Sequence, residues 1–443
     1  MKGDFTRDTF DPSKHYSRVL MQQGRVQLDA DWNEQAALML YQLRTLARDL
    51  VGPAWAVGNG FALTMNADAD DFSIGQGRFY VDGIACELEA DLLFLAQYGL
   101  RDSERHWDGA AAYLVYLDAW EQLVTAAEDE ALREVALGGA DTTARAQIAW
   151  QVRLLQVPPN AAGGIPQPSC ADARTLLRDT TRRTAPRLSA TAKQDAADTP
   201  CEIAPDAAYR GPENQLYRVE IHDPGELAVA GSVPTFKWSR DNGAVVFPVL
   251  DVDAGEQQLT VKLGHLGRDE RSGLSEGDWV ELVDQSYLYQ ELHSTLLRVT
   301  AVDQDQMSVT LSGDFSQRDD PPQRRILRRW DQRKGVNNSG VVVLREAAAA
   351  GAGQLLEEGV TIRFEAGGQY RTGDYWLIPA RTATGDVEWP ATTVNGQPQA
   401  TPQAPHGVPH HYGLLGILAQ EDRVWALRNC HCSIPATGLA QCP

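Results

Sequence analysis

The sequence predicts a mainly β, multidomain protein with several small β-barrel or sandwich units and an N-terminal amphipathic helix. Three observations carry this expectation. Short runs such as Leu216-Tyr217-Arg218-Val219-Glu220-Ile221 are rich in branched and aromatic residues and are punctuated by Gly, Asp or Pro. One long stretch near the start keeps apolar residues at three- and four-residue spacing. At 443 residues, the chain is too long for one small core and should divide into about three β domains.

Residues 1–55 read as an arm and helical anchor. A polar arm containing Asp11-Pro12 leads through Val26 and Leu28 into a helix over about 31–50. Asp29 or Asp31 caps it, and Gly52-Pro53 ends it. Trp32, Met39, Leu43, Leu46 and Leu50 form its stripe, widened by Leu38, Leu40 and Tyr41 beyond what one packing partner needs. The stripe lacks the sustained heptads of a coiled coil.

Residues 56–158 form a first β domain, with a hairpin over 77–89 that turns at Asp82-Gly83 and a strand over 112–124 that is apolar on both faces. A short helix over 128–137 and a strand over 146–157 follow. Residues 158–166, rich in Pro and Gly, are the clearest linker, and 159–212 read as a linker and irregular excursion. A second β domain, 213–335, is a barrel or sandwich using strands at 216–222, 245–247, 258–263, 278–283, 296–302 and 306–311. A third, 336–443, uses 340–344, 360–364, 375–379, 414–419 and 424–427, carries a surface loop at 394–408, and ends Cys-rich.

The opening from Gly3 to Gln35 includes Asp11-Pro12-Ser13-Lys14-His15-Tyr16 and Gly24-Arg25-Val26-Gln27. It resembles the start of a family, with no reaction attached to it, whose members accompany phage-tail-like contractile injection systems. More distantly it is similar to amino-terminal segments of phage baseplate and tail-fibre proteins. Further family-like blocks follow in order, among them Glu213-Asn214-Gln215, Thr235-Phe236-Lys237-Trp238-Ser239-Arg240-Asp241-Asn242-Gly243, Gly373-Asp374-Tyr375-Trp376 and His410-His411-Tyr412. The resemblance implies a non-enzymatic structural component, associated with a baseplate or tail fibre, that assembles with other baseplate or tail subunits as a homotrimer. Phe5, Phe10, Tyr16, Trp32, Met39 and Leu43 are the expected assembly residues, because so extensive an apolar arm and stripe has no evident use in a monomer.

Sixty acidic against forty basic residues give a formal charge of −20, which repels nucleic acid and anionic lipid at long range. Arg318, Arg324, Arg325, Arg328, Arg329, Arg333 and Lys334 crowd around Trp330, and pairing with acids accounts for them better than nucleic acid does. No apolar run is long enough to cross a bilayer, so direct membrane insertion is not expected. The start is no signal peptide, which implies cytoplasmic synthesis and incorporation into a particle that stays in the cell or is released.

Nucleophile-elbow, phosphate-loop, zinc-protease and dinucleotide motifs are missing from the sequence, so neither catalytic residues nor a cofactor are expected. Asp29 with Asp31, and Asp251 with Asp253, could form carboxylate pairs, but capping and turns account for them more simply. Most of the eleven tryptophans should be core or edge packing. Cys430, Cys432 and Cys442 with His410 make a weak candidate zinc set, since Cys-x-Cys is tighter than the usual knuckle spacing. Cys170 with Cys201 is a weak candidate disulfide closing the excursion. Two alternatives stand beside the structural reading: a carbohydrate- or receptor-binding module at a particle tip, and a polysaccharide or peptidoglycan hydrolase.

Overall fold

The computed structural model describes residues 1–157, 167–182, 184–192, 208–255, 258–315, 322–346, 353–394, 396–421 and 423–434. The linker at 158–166, Arg318, Cys201 and Cys442 lie outside the described residues. The protein is mainly β, and its strands sort into two compact units, each built from separated stretches of chain. One comprises Met1–Asp8, Leu123–Arg145 and Thr184–Gly407, and the other Thr9–Gln122, Ala146–Arg183 and Val408–Pro443.

In the unit that begins at Thr9, a four-stranded sheet runs Val424–Asn429, His411–Glu421, Ala112–Val124, Arg145–Val157. Strand Ala112–Val124 is central, which explains its two apolar faces. Tyr113, Val115 and Leu117 enter a core with Phe61, Phe72 and Phe79, while Ala112 and Leu114 enter another with Leu177 and Ile417. Leu177 comes from a helix, Cys170–Thr181, whose start is fixed by a reciprocal Ser169–Asp172 capping box. The supposedly irregular excursion therefore contains a helix, and also a strand, Leu188–Thr191, which belongs to the other unit.

A second four-stranded sheet of this unit contains the expected hairpin, Gly77–Val81 and Ile84–Leu88. Its turn uses left-handed backbone at both Asp82 (φ 49) and Gly83 (φ 81), the geometry that a two-residue hairpin requires. The long helix spans Asp29–Val51, and Gly52 at φ 110 takes the chain out of it.

The other unit contains a closed six-stranded barrel in the order Val246–Ala254, Leu259–Leu263, Ser308–Ser312, Leu296–Asp303, Trp279–Val283, Ile326–Trp330. Phe247, Val261, Leu263, Val280, Leu311 and Leu327 fill it. A five-stranded sheet runs Val342–Val343, Thr235–Ser239, Gln215–Ile221, Tyr375–Arg381, Asp386–Val387. Phe364 and Ile362, from a three-stranded sheet, cover its Phe236 and Trp376.

The contiguous blocks 56–158, 213–335 and 336–443 are not the folding units. Gln215–Ile221, assigned to the second block, pairs with Tyr375–Arg381 of the third, and Ala112–Val124 of the first pairs with His411–Glu421. Linker composition shows where a chain is irregular, not which distant strands match in register. Two smaller differences have local causes. The helix expected over 128–137 is two 3-10 turns, Glu130–Leu132 and Val135–Leu137, the second ended by left-handed Gly138. Within the loop expected over 394–408, Val394 and Gln397–Ala400 take part in an exposed hairpin, Ala391–Val394 with Gln397–Ala400.

Candidate assembly surface

The long helix is held along one side only. Ala30 and Leu38 are its buried residues, and Arg44 reaches Glu121 at 2.6 Å. The backbone at Arg44 rests on the Asp82-Gly83 turn so closely that a Cβ at Gly83 would lie 2.5 Å from the Arg44 carbonyl oxygen. The arm is strapped along the helix by side-chain bonds. The Thr9 hydroxyl donates to Glu34 (2.6 Å), the Val19 amide to Gln35 (2.8 Å), and the Gln42 amide to the Ser17 carbonyl (3.3 Å).

The opposite side is bare. Trp32, Met39, Leu43 and Leu50 are 68, 62, 63 and 73% exposed, and Leu46 is exposed with them. With exposed Ala36, these residues step by alternating fours and threes from 32 to 50, which is coiled-coil seam spacing. In the sequence Leu38, Leu40 and Tyr41 blur this period, but in the structure Leu38 is buried, and Leu40 and Tyr41, at 44 and 45% exposed, are more covered than the seam residues. Exposure removes that blur, and the seam emerges over nearly three heptads.

Of the six expected assembly residues, Trp32, Met39 and Leu43 share this seam, and Tyr16 is exposed on the arm. Phe10 is half-buried with its ring 5.7 Å from that of Tyr41, so it belongs to the helix's own packing. Phe5 is half-buried in the other unit, where it lies over Gly3. Leu46 and Leu50 were missing from the expected set, although their four-three spacing was the signal.

The first residues of the arm do different work. Lys2 lies 2.8 Å from Glu220, which also takes Arg218 at 2.6 Å and Lys237 at 3.6 Å, while Lys237 reaches Glu281 at 2.6 Å. The Trp330 indole donates to Glu281 (3.0 Å), and the ammoniums of Lys237 and Lys2 stand over its ring at 4.5 and 5.6 Å. Asn242 donates to the carbonyls of Met1 and Gly3. Burial alone would raise the Glu220 carboxyl, but Lys2, Arg218 and Lys237 outweigh it and hold the group well below the usual range. Glu281 likewise overcomes burial, through Lys237 and Lys2, and falls to about 2. Burial brings Lys2 down to about 8.

The weak zinc set does not assemble. Cys430 is bonded to Cys170 (S–S 2.05 Å), Cys432 is also disulfide-bonded, and His410 pairs with Asp118 at 2.7 Å. The Cys170–Cys201 pairing is likewise replaced by Cys170–Cys430. Packing of helix Cys170–Thr181 against strand His411–Glu421 brings together two cysteines 260 residues apart. Arg174 donates to the Cys430 carbonyl beside the bond.

Asp251 and Asp253 are exposed on a barrel strand, and the Asp31 carboxylate accepts the Leu28 amide at the helix start. Arg328 donates to the Gly243 carbonyl, Arg329 to the carbonyls of Gly273 and Arg271, and Arg333 to Asp278. At one end of the barrel lies a cavity of about 790 Å³, bordered by Trp279, Arg298, Arg333, Asp314 and Asn337.

No curated protein and no solved structure matches the chain. Residues 1–162 and 160–442 match a family described as a family of unknown function (DUF6519), and since these matches cover nearly the whole chain, the protein belongs to that family.

Proposed function

We propose that the protein is a non-enzymatic structural component of a phage-tail-like contractile injection particle, associated with its baseplate or tail fibre and acting by protein–protein assembly. The observation that carries this reading is the bare apolar seam from Trp32 to Leu50 on a helix held from one side. The resemblance of the opening and of later blocks to proteins that accompany such particles supplies the setting. The seam's flanks, Asn33, Leu40 and Ala47 on one side and Gln35, Gln42 and Asp49 on the other, carry a single charge, at the C-terminal end of the helix. In a chain of net charge −20, such a nearly neutral strip is where copies meet with least repulsion, which supports self-association, while the threefold order and the neighbouring tail subunits rest on the resemblance.

The test is co-sedimentation with sheathed particles from the native cell, with copy number measured by mass spectrometry. A fixed number divisible by three, lost in a Met39→Glu/Leu43→Glu variant, supports the reading. A chain found only in the soluble fraction sinks it.

A second reading rests on the barrel-end cavity. An aromatic wall at Trp279 beside Arg298, Arg333, Asp314 and Asn337 is suited to a sugar ring and its hydroxyls, which favours a carbohydrate-binding role. Glycan-array binding abolished by Trp279→Ala supports this role, and an array without signal removes it.

A further inference from the structure

We infer that His222, Asp223 and His293 form a binding site for a divalent transition-metal ion of the zinc class. All three belong to the unit that contains the barrel. His222 and Asp223 follow directly on strand Gln215–Ile221, and His293 stands in the segment between helix Gln285–Tyr289 and strand Leu296–Asp303. One ring nitrogen of each histidine and one carboxylate oxygen lie within 4.8 Å of one another. His293 Nε2 is 3.3 Å from Asp223 Oδ1, and the two imidazole rings are 4.2 Å apart, centre to centre. Metal–nitrogen and metal–oxygen bonds of about 2.0–2.2 Å require such atoms to draw together around an ion.

Two further observations point to a ligand. Nδ1 of His222, a residue only 4% exposed, is buried and has no hydrogen-bond partner. An unpartnered buried imidazole nitrogen is costly, and coordination is one way to satisfy it. The carboxylate is also oriented from behind: the Asp223 amide donates to the Thr235 hydroxyl oxygen (3.1 Å), and that hydroxyl donates to Asp223 Oδ2 (2.5 Å). Oδ1 is left to face His293. This is the outer-shell support that metal-binding carboxylates need.

The nearby Lys237 ammonium opposes a cation, but Glu281 and Glu220 already neutralise it. Two imidazoles and one carboxylate make a three-ligand set with a fourth position for water, a composition that suits Zn²⁺ and its neighbours rather than Ca²⁺ or Mg²⁺. The ion would clip the end of the five-stranded sheet to the barrel within one unit. No spacing rule connects residues 222 and 293, so the sequence carries no motif for it.

Equilibrium dialysis of the full chain, stripped with chelator and exposed to ZnCl₂, tests this, with CoCl₂ as a spectroscopic substitute. The expected result is one ion per chain, a visible Co²⁺ band typical of low coordination number, and a rise in Tm on metal addition. His293→Ala should weaken the affinity at least about tenfold. Half-exposed Asp223→Asn serves as a second variant, retaining its size and its Thr235 contact, and should weaken the affinity in the same direction. A stripped chain that takes up no Zn²⁺, or folded variants that bind it as tightly as the parent, overturns the inference.

Discussion

The Lys2 ammonium sits 2.8 Å from the Glu220 carboxylate, which makes the second residue of the chain part of a buried charge cluster rather than of a detachable tail. Removing Lys2 leaves Glu220 with Arg218 and Lys237 only. Lys2→Met should therefore destabilise the protein by about 1–3 kcal/mol, less than the loss of a sole buried partner. Urea unfolding of the full chain measures it. For the same reason, deleting residues 1–55, although these include the whole helical anchor, should not leave the barrel-containing unit intact. A deletion of residues 1–8 with an unchanged unfolding midpoint would contradict this role of the arm.

Acid should expose the same cluster. Glu281 falls from its ordinary 4.5 to about 2 in the folded chain, so below 4.5 the unfolded chain takes up a proton that the folded one resists. The stabilisation is complete above 4.5 and is lost as pH falls from there towards 2, with Glu220 contributing in the same direction. Glu281→Gln should be less stable than the parent at pH 7 and should show a flatter decline below pH 4.5. Equal slopes for the two proteins would remove Glu281 from the acid response.

Seam substitutions should separate folding from assembly. Met39 and Leu43 touch water, so Met39→Glu and Leu43→Glu should each change stability by no more than about 0.5 kcal/mol. Self-association in sedimentation velocity should nevertheless fall. A variant that still associates like the parent would move the interface elsewhere.

Peptide mapping under non-reducing conditions should recover a Cys170–Cys430 cross-linked fragment. Cys170→Ser should cost about 2–4 kcal/mol by freeing the unfolded chain. Cys86, by contrast, is buried with its thiol pushed up to about 12 by burial, and should stay unmodified by thiol reagents until the protein unfolds.

The local architecture was legible where one residue pattern had one physical meaning. Asp82-Gly83 between two alternating runs could be little else than a tight hairpin, and strand 112–124, apolar on both faces, had to lie between two layers. Helix Cys170–Thr181 was missed because its cues, Ser169 with Asp172 and Ala173 with Leu177, are sparse within a polar stretch. The units themselves were not legible, because pairings such as Val219 with Trp376 depend on register between strands more than 150 residues apart. The seam was half legible: its periodicity could be read from the sequence, but which side of the helix faces water could not.

The central strand Ala112–Val124 also sets an order in time. Its partner His411–Glu421 leaves the ribosome only after the whole of 184–407 has been made. At about 5–20 residues per second, an apolar strand with one neighbour missing waits roughly 15–60 s. The barrel-containing unit has its long strands to hand by then, so it can form first, while the sheet around Ala112–Val124 is exposed to aggregation throughout translation. Slow synthesis or chaperone shielding of this one strand would thus govern how much of the protein reaches its native state in the cell.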